Sequence, residues 1–137
     1  MPKFYAYQTA IRNDLVARGA NPHFYDEEPE KAKYLILKNI GSIFHKDNVF
    51  DKFNKKLVSQ ILAEMPAGGY DYMLVIRGNV LNELTIHELK LHALKANGKS
   101  IYYAWDSFDN MRHGPELGRM FDKRATFDSV DASHHDD

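Results

Sequence analysis

Four consecutive apolar residues, Met73-Leu74-Val75-Ile76, stand between the turn signals Gly68-Gly69 and Gly78-Asn79. Such a run has no polar face to offer water, so Tyr70 to Arg77 reads as a strand buried on both faces, as in a parallel sheet. Parallel neighbours need a crossover, and the next segment supplies one. Thr85-Ile86-His87-Glu88 fits a capping box, Ile86, Leu89 and Ala93 share a helical face, and Asn97-Gly98 is a stop signal. Ser100 to Trp105 is then the next strand, Pro115 to Phe121 a short helix, and Arg124 to Phe127 a last strand.

Upstream, Tyr7, Ile11 and Leu15 recur at helical spacing and Gly19 follows where a left-handed cap sits, which predicts a helix from Tyr5 to Arg18. His23-Phe24-Tyr25 is predicted to be a short strand ending at Asp26. Pro29 after three acids opens a second helix carrying Ala32, Leu35, Ile36, Ile40 and Ile43, which Gly41-Ser42 ends or bends. A third begins near Asp47, carries Phe50, Phe53, Leu57 and Ile61, and stops at Met65-Pro66, because a residue before proline disfavours helix. The expected fold is α/β: a three-layer α/β/α domain over residues 1–132 with a mostly parallel sheet of about four strands, and a polar tail at 133–137. Chains of this class ordinarily open with a strand at the sheet centre. This one opens in a helix, so either its first strand is lost or lies upstream, or the sheet closes without it.

Composition narrows the function classes. With 44% hydrophobic residues the chain is expected to fold, and 18 Lys plus Arg against 19 Asp plus Glu argue against a nucleic-acid partner. There is no cysteine, which excludes disulfides, thiolate metal sites and cysteine nucleophiles. Met1-Pro2-Lys3-Phe4-Tyr5 has no signal-like apolar run, so a cytoplasmic location is expected. Phosphate-loop, dinucleotide and nucleophile-elbow motifs are missing. His87 and His92 are five residues apart and do not share a helix face as a zinc pair must, so no metal site is expected. His113 is a loop histidine available for proton transfer, with simple solvation the plainer reading.

Three of the four expected strands end in an aromatic residue followed by aspartate: Tyr25-Asp26, Trp105-Asp106 and Phe127-Asp128. The fourth ends in Arg77-Gly78-Asn79. Ligands of open parallel sheets bind outside the carboxyl ends of the strands, which makes this set the candidate site. An aspartate there is also the common N-cap of the next helix, and Asp26 and Asp128 are read first as caps. Asp106 has no long helix to cap and begins the polar run Asp106-Ser107-Phe108-Asp109-Asn110, so both roles stay open for it. Gly78 lets the backbone pass tightly and a ligand approach the main chain.

Five segments occur in a telling order: Phe24-Tyr25-Asp26-Glu27-Glu28-Pro29, Tyr70 through Gly78, Tyr103-Ala104-Trp105-Asp106-Ser107-Phe108, Phe121-Asp122-Lys123 and Thr126-Phe127-Asp128-Ser129-Val130-Asp131-Ala132. Together they resemble the N-terminal half of the bacterial surface-polysaccharide glycosyltransferases of GT-B architecture, two Rossmann-like domains facing across a cleft. The resemblance runs from the first helix to about Ala132. It implies a Rossmann-like, acceptor-side domain of an enzyme that transfers a sugar from a nucleotide-sugar donor to a lipopolysaccharide or capsule glycan, at the cytoplasmic face of the inner membrane. The chain departs from the family in lacking the first strand and the second, nucleotide-holding domain. The resemblance further implies a glycan acceptor as partner, a separate donor-binding domain or second subunit, and no cofactor held by this chain alone. It also implies inactivity in isolation, since positioning two sugars needs both halves. Joined to a donor domain, Asp106 is the candidate acceptor-activating base. Arg77, Gly78, Asn79, Ser107, Asn110 and Asp128 then line the acceptor cleft, roles assigned from strand-end position.

A reading of a different class rests on the stretch from Lys31 to Lys56, where seven lysines face two aspartates and alternate with Ile40, Ile43, Phe44, Phe50 and Phe53. Such a basic helical pair would make the chain a non-catalytic module on a partner protein or an anionic membrane. A solvated lysine face is the plainer interpretation. The missing strand also leaves an edge to which a second copy could add.

Overall fold

The structure, a computed structural model, describes residues 7–26, 50–110 and 114–134. Three parallel strands, β1 (Tyr70–Ile76), β2 (Leu94–Ala104) and β3 (Lys123–Thr126), lie side by side in that order. The helices are α1 (Tyr7–Ala17), α2 (Asp51–Glu64), α3 (Glu83–His92), α4 (Gly114–Gly118) and α5 (Ser129–His134). The fold is α/β, as expected, with α3 as the crossover between β1 and β2.

Register decides which residues make the core. Met73 pairs with Ser100 and Val75 with Tyr102, so these side chains share a face, and Tyr102 and Ser100 are almost wholly buried on it. Val75, Tyr102 and Ala104 pack there against Ile86 of α3, Leu117 of α4 and Phe121. Burying Ile86 completely contributes about 1.5–3 kcal/mol. Behind this layer Leu57, Val58 and Ile61 of α2 close on Leu89 of α3 and on Ala93, just past its end.

Asp122 ties β3 to β2 at the entry of the sheet. Its Oδ2 accepts from the Ser100 amide at 2.8 Å and the Ser100 hydroxyl at 2.6 Å, while the Asp122 amide donates to Ser100 Oγ at 3.1 Å. Those bonds to the Ser100 side chain and backbone, aided by the Lys90 charge, hold its carboxyl down at about 2.

Several expectations need correction. The apolar quartet is buried on both faces only at its carboxyl end: Val75 and Ile76 are buried, whereas Leu74 is 47% exposed and Tyr72, two residues earlier on the same face, 68%. Residues 23–25 form no strand, so the described sheet has three strands and not four. Side chains place that segment instead: the Tyr25 hydroxyl meets the Tyr70 hydroxyl at 2.9 Å, which in turn meets His23 Nδ1 at 3.0 Å. Burial and the bond to Tyr70 push the Tyr25 hydroxyl far above the usual phenol range.

The cap of α3 is Asn82 and not Thr85. The Asn82 side chain accepts from the Thr85 amide at 2.9 Å, and Thr85 is buried within the first turn. α3 ends at His92, and β2 begins at Leu94, six residues before the expected start. Asn97-Gly98 is therefore part of a strand irregularity, where pairing jumps from Tyr70 with Leu94 to Tyr72 with Lys99. A side chain at Gly98 would sit 3.0 Å from the Lys95 carbonyl and 3.1 Å from that of Tyr70, which is why a glycine occupies it. α5 follows Asp128, as that residue's expected cap role implies, and runs into the predicted polar tail. The second predicted helix, the residues from Asp47 to Val49 and His113 lie outside the described residues; Lys52, Lys55 and Lys56 are exposed on α2. Among the described residues no helix is long and apolar enough to cross a membrane.

Candidate functional site

Parallel strands deliver their carboxyl ends to one edge. Ile76 pairs with Tyr103 and Ala104 with Thr126, so Arg77, Asp106 and Asp128, just beyond the three strands, lie in strand order along a common rim.

At the first station the backbone is forced. Arg77 has φ +76° and Gly78 +70°, both in the left-handed region. For a non-glycine residue that costs about 1–2 kcal/mol and persists only where surroundings impose it. The Arg77 amide donates to the Tyr103 carbonyl at 3.0 Å, and the Arg77 carbonyl accepts from the Tyr102 hydroxyl at 3.0 Å. With the Asn79 amide oriented oxygen-inward, Arg77 Nε and Nη2 donate to it at 2.8 and 3.0 Å. The guanidinium is thus held at the mouth of β1. Gly78 is buried, and a side chain there would meet Leu117 at 2.6 Å and Val75 at 3.2 Å, so the turn closes directly onto the core.

The second station follows β2. Asp106 Oδ1 accepts from the Ser107 amide at 2.9 Å and from Asn110 Nδ2 at 3.0 Å, and the Asn110 amide donates to the Ser107 carbonyl at 2.9 Å. Asp106 therefore does cap a turn, yet both bonds fall on Oδ1, which leaves Oδ2 available to a ligand hydroxyl. Ser107 Oγ accepts from the Asp109 amide at 3.3 Å. Beside this loop Trp105 stands edge-on to Tyr7 of α1, ring centres 5.2 Å apart, and to Tyr103 at 5.9 Å. Three aromatic rings thus cluster at the end of β2, just before Asp106 in the chain.

At the third station Asp128 is the cap of α5: its Oδ1 accepts from the Val130 amide at 2.8 Å and the Asp131 amide at 3.4 Å. One turn on, Asp131 Oδ2 accepts from the Phe108 amide at 2.9 Å, which pins the loop after β2 to α5. Between them a cavity of about 260 Å³ is lined by Phe108, Pro115, Arg124, Thr126 and Asp131. It falls just short of the roughly 300–1,000 Å³ of drug-sized clefts.

The rim thus gathers Arg77, Asn79, Asp106, Ser107 and Asn110 as exposed or half-buried polar groups, whereas Asp128 has its Oδ1 committed to α5 and Gly78 lies within the core packing. The residues that sequence reasoning missed are Tyr7, whose meeting with Trp105 joins opposite ends of the chain and leaves no local trace, and Asp131. Asp131 is discernible only once Asp128 is accepted as a cap, since it then falls in the first helical turn. Among the described residues no group of three His, Asp or Glu side chains is placed to hold a metal ion. No family model, curated protein or solved structure matches this chain.

Proposed function

We propose that the chain is the acceptor-side, Rossmann-like α/β/α domain of a glycosyltransferase that builds a bacterial cell-surface polysaccharide, acting with a donor-binding domain or subunit that holds the nucleotide-sugar. The observation that carries this reading is the aromatic cluster of Tyr7, Trp105 and Tyr103 at the end of β2, followed at once in the chain by the hydrogen-bonded polar loop of Asp106, Ser107 and Asn110. A pyranose has an apolar C–H face and a girdle of hydroxyls, and such rings and such donors and acceptors fit the two. In this reading Trp105 receives the acceptor ring, Arg77 and Asn110 orient its hydroxyls, and Asp106 Oδ2 takes the proton from the hydroxyl that attacks the donor.

Trp105 is the only tryptophan, so its fluorescence reports on the rim alone. Titration with lipopolysaccharide-core and capsular oligosaccharides is expected to give a saturable change in emission that is lost in Arg77→Ala. In the enzyme completed by its donor domain, Asp106→Asn is expected to lower turnover by about 10²–10⁴-fold with glycan binding retained. Emission that no bacterial surface glycan alters, at concentrations up to millimolar, overturns the reading.

A further inference from the structure

Of the buried residues of α2, Leu57, Val58 and Ile61 are aliphatic and Asn54 is not. Asn54 is only 2% exposed, and its Nδ2 donates to the Val80 carbonyl at 2.9 Å. A carbonyl must face the nitrogen of a carboxamide, so this bond also fixes which way the side chain points. Oδ1 is buried with it and, among the described residues, accepts from no donor. A dry acceptor forfeits the hydrogen bonds it makes with water, a cost that an aliphatic side chain at the same place avoids. Asn54 thus weakens the core where it stands, and its use lies in what Nδ2 holds.

Val80 closes the turn that carries Arg77. The Leu81 amide donates to the Gly78 carbonyl at 3.1 Å, and Val80 is itself buried. On the sheet side this stretch is gripped by β2, through the Tyr103 carbonyl and the Tyr102 hydroxyl on Arg77. On the other side α2 grips it twice. Asn54 holds Val80, and Asp51, three residues earlier on the same helix face, accepts through Oδ1 from Asn82 Nδ2 at 3.1 Å. Arg77 stands at positive φ, which a non-glycine residue keeps only where its surroundings impose it. Asn79, which receives the guanidinium, lies directly between Gly78, packed onto the core, and Val80, held by Asn54. We propose that Asn54 is a positioning residue for Arg77. Through the Val80 carbonyl it fixes the turn at residues 78–80, and that turn keeps Asn79 where it receives Arg77 Nε and Nη2. The guanidinium is thereby held at the mouth of β1. This hold follows from the geometry alone, whereas its consequence for glycan affinity rests on the glycosyltransferase reading.

The Arg77 Nε–H, followed by nitrogen–proton NMR in the full chain, tests the assignment. Asn54→Val is close in volume and removes the donor and the dry acceptor together. It is expected to speed exchange of that proton with solvent about tenfold, the worth of one net hydrogen bond, and to move its resonance toward that of a free arginine, with the thermal midpoint little changed. Asn54→Ala, which cannot crowd the site, is expected to move the resonance in the same way. Leu57→Ala, three residues along α2 in the adjoining core layer, supplies the contrast. Its midpoint is expected to fall, while below that midpoint the Arg77 signal stays as in the native chain. Where a surface glycan binds, Asn54→Val is expected to weaken it about tenfold. If no glycan alters Trp105 emission but the Arg77 signal still follows Asn54, the glycosyltransferase reading fails and this assignment stands. An Arg77 signal indifferent to both Asn54 variants overturns the assignment. So does a signal that Leu57→Ala moves equally, or the unfolding of both Asn54 variants, which would make the bond a support of the whole fold and not of Arg77.

Discussion

Arg77 occupies a backbone conformation that glycine adopts freely, and its side chain is fixed by Asn79 at the head of the rim. If the strain is retained for what the guanidinium does, removing both together separates stability from binding. Arg77→Gly is expected to leave the urea midpoint unchanged or to raise stability by up to about 1 kcal/mol, while abolishing the glycan-induced change in Trp105 emission. Its neighbour behaves in the opposite way. Gly78→Ala adds a methyl within 2.6 Å of Leu117 and is expected to destabilise the fold by about 1–3 kcal/mol in urea titrations. At the other end of the sheet Asp122 makes folding sensitive to acid. Its carboxyl lies at about 2 in the folded protein against an ordinary 3.8, so its contribution to stability is fully present above about pH 4 and disappears as the pH falls toward 2. Thermal midpoints of the native chain are expected to fall across that window more than those of Asp122→Asn, which lacks the titrating group. Arg77 and Gly78 are legible in the sequence as a strand end because a glycine follows an apolar run. The strain on Arg77 is not, since it depends on Tyr102 and Tyr103 from another strand.

The elements follow local chemistry where the chain supplies its own signals. Gly19, at φ +83°, lets the Ala20 amide reach the Leu15 carbonyl at 3.0 Å and its own amide reach that of Val16 at 2.9 Å, closing α1 as its sequence predicts. α2 stops before Pro66 because the residue preceding a proline is driven out of the helical region, and Met65 is extended. Asp128 caps α5 as a strand-end aspartate is expected to. α3 shows how two signals compete. Thr85 through Glu88 resembles a capping box, yet Asn82 sits three residues earlier and its carboxamide takes the free amide first, while its Nδ2 donates to Asp51 Oδ1 at 3.1 Å. Asn82→Ala is therefore expected to cost about 1 kcal/mol in chemical denaturation, whereas Thr85→Ser, which keeps the buried hydroxyl, is expected to cost less. The expected strand at residues 23–25 fails for the complementary reason. Its aromatic residues satisfy a strand pattern, but Tyr25 and His23 find their partner in the Tyr70 side chain and not in a ladder.

At the level of the whole molecule the parallel sheet does one thing that no single element can: it brings the ends of β1, β2 and β3 to one edge beside an aromatic cluster begun by α1. In the proposed function this rim holds one reactant, the acceptor. The isolated chain is accordingly expected to transfer no sugar from any nucleotide-sugar, measured with labelled donors, and to gain activity only when a donor-binding half is supplied, because the rate advantage of positioning needs both reactants held. Transfer by the isolated chain would show that the donor contacts lie here too. What the sequence determines by itself is the alternation of helix and strand, the glycine and proline stops, and the parallel sense of the sheet, since these rest on periodicity and on backbone preferences within a few residues. Tertiary structure alone decides that Leu74 and Tyr72 stay exposed, that Asn82 wins the cap, that Arg77 is strained and that Tyr7 reaches Trp105. Each of these depends on which surfaces other elements cover, and that is settled by packing between residues far apart in the chain.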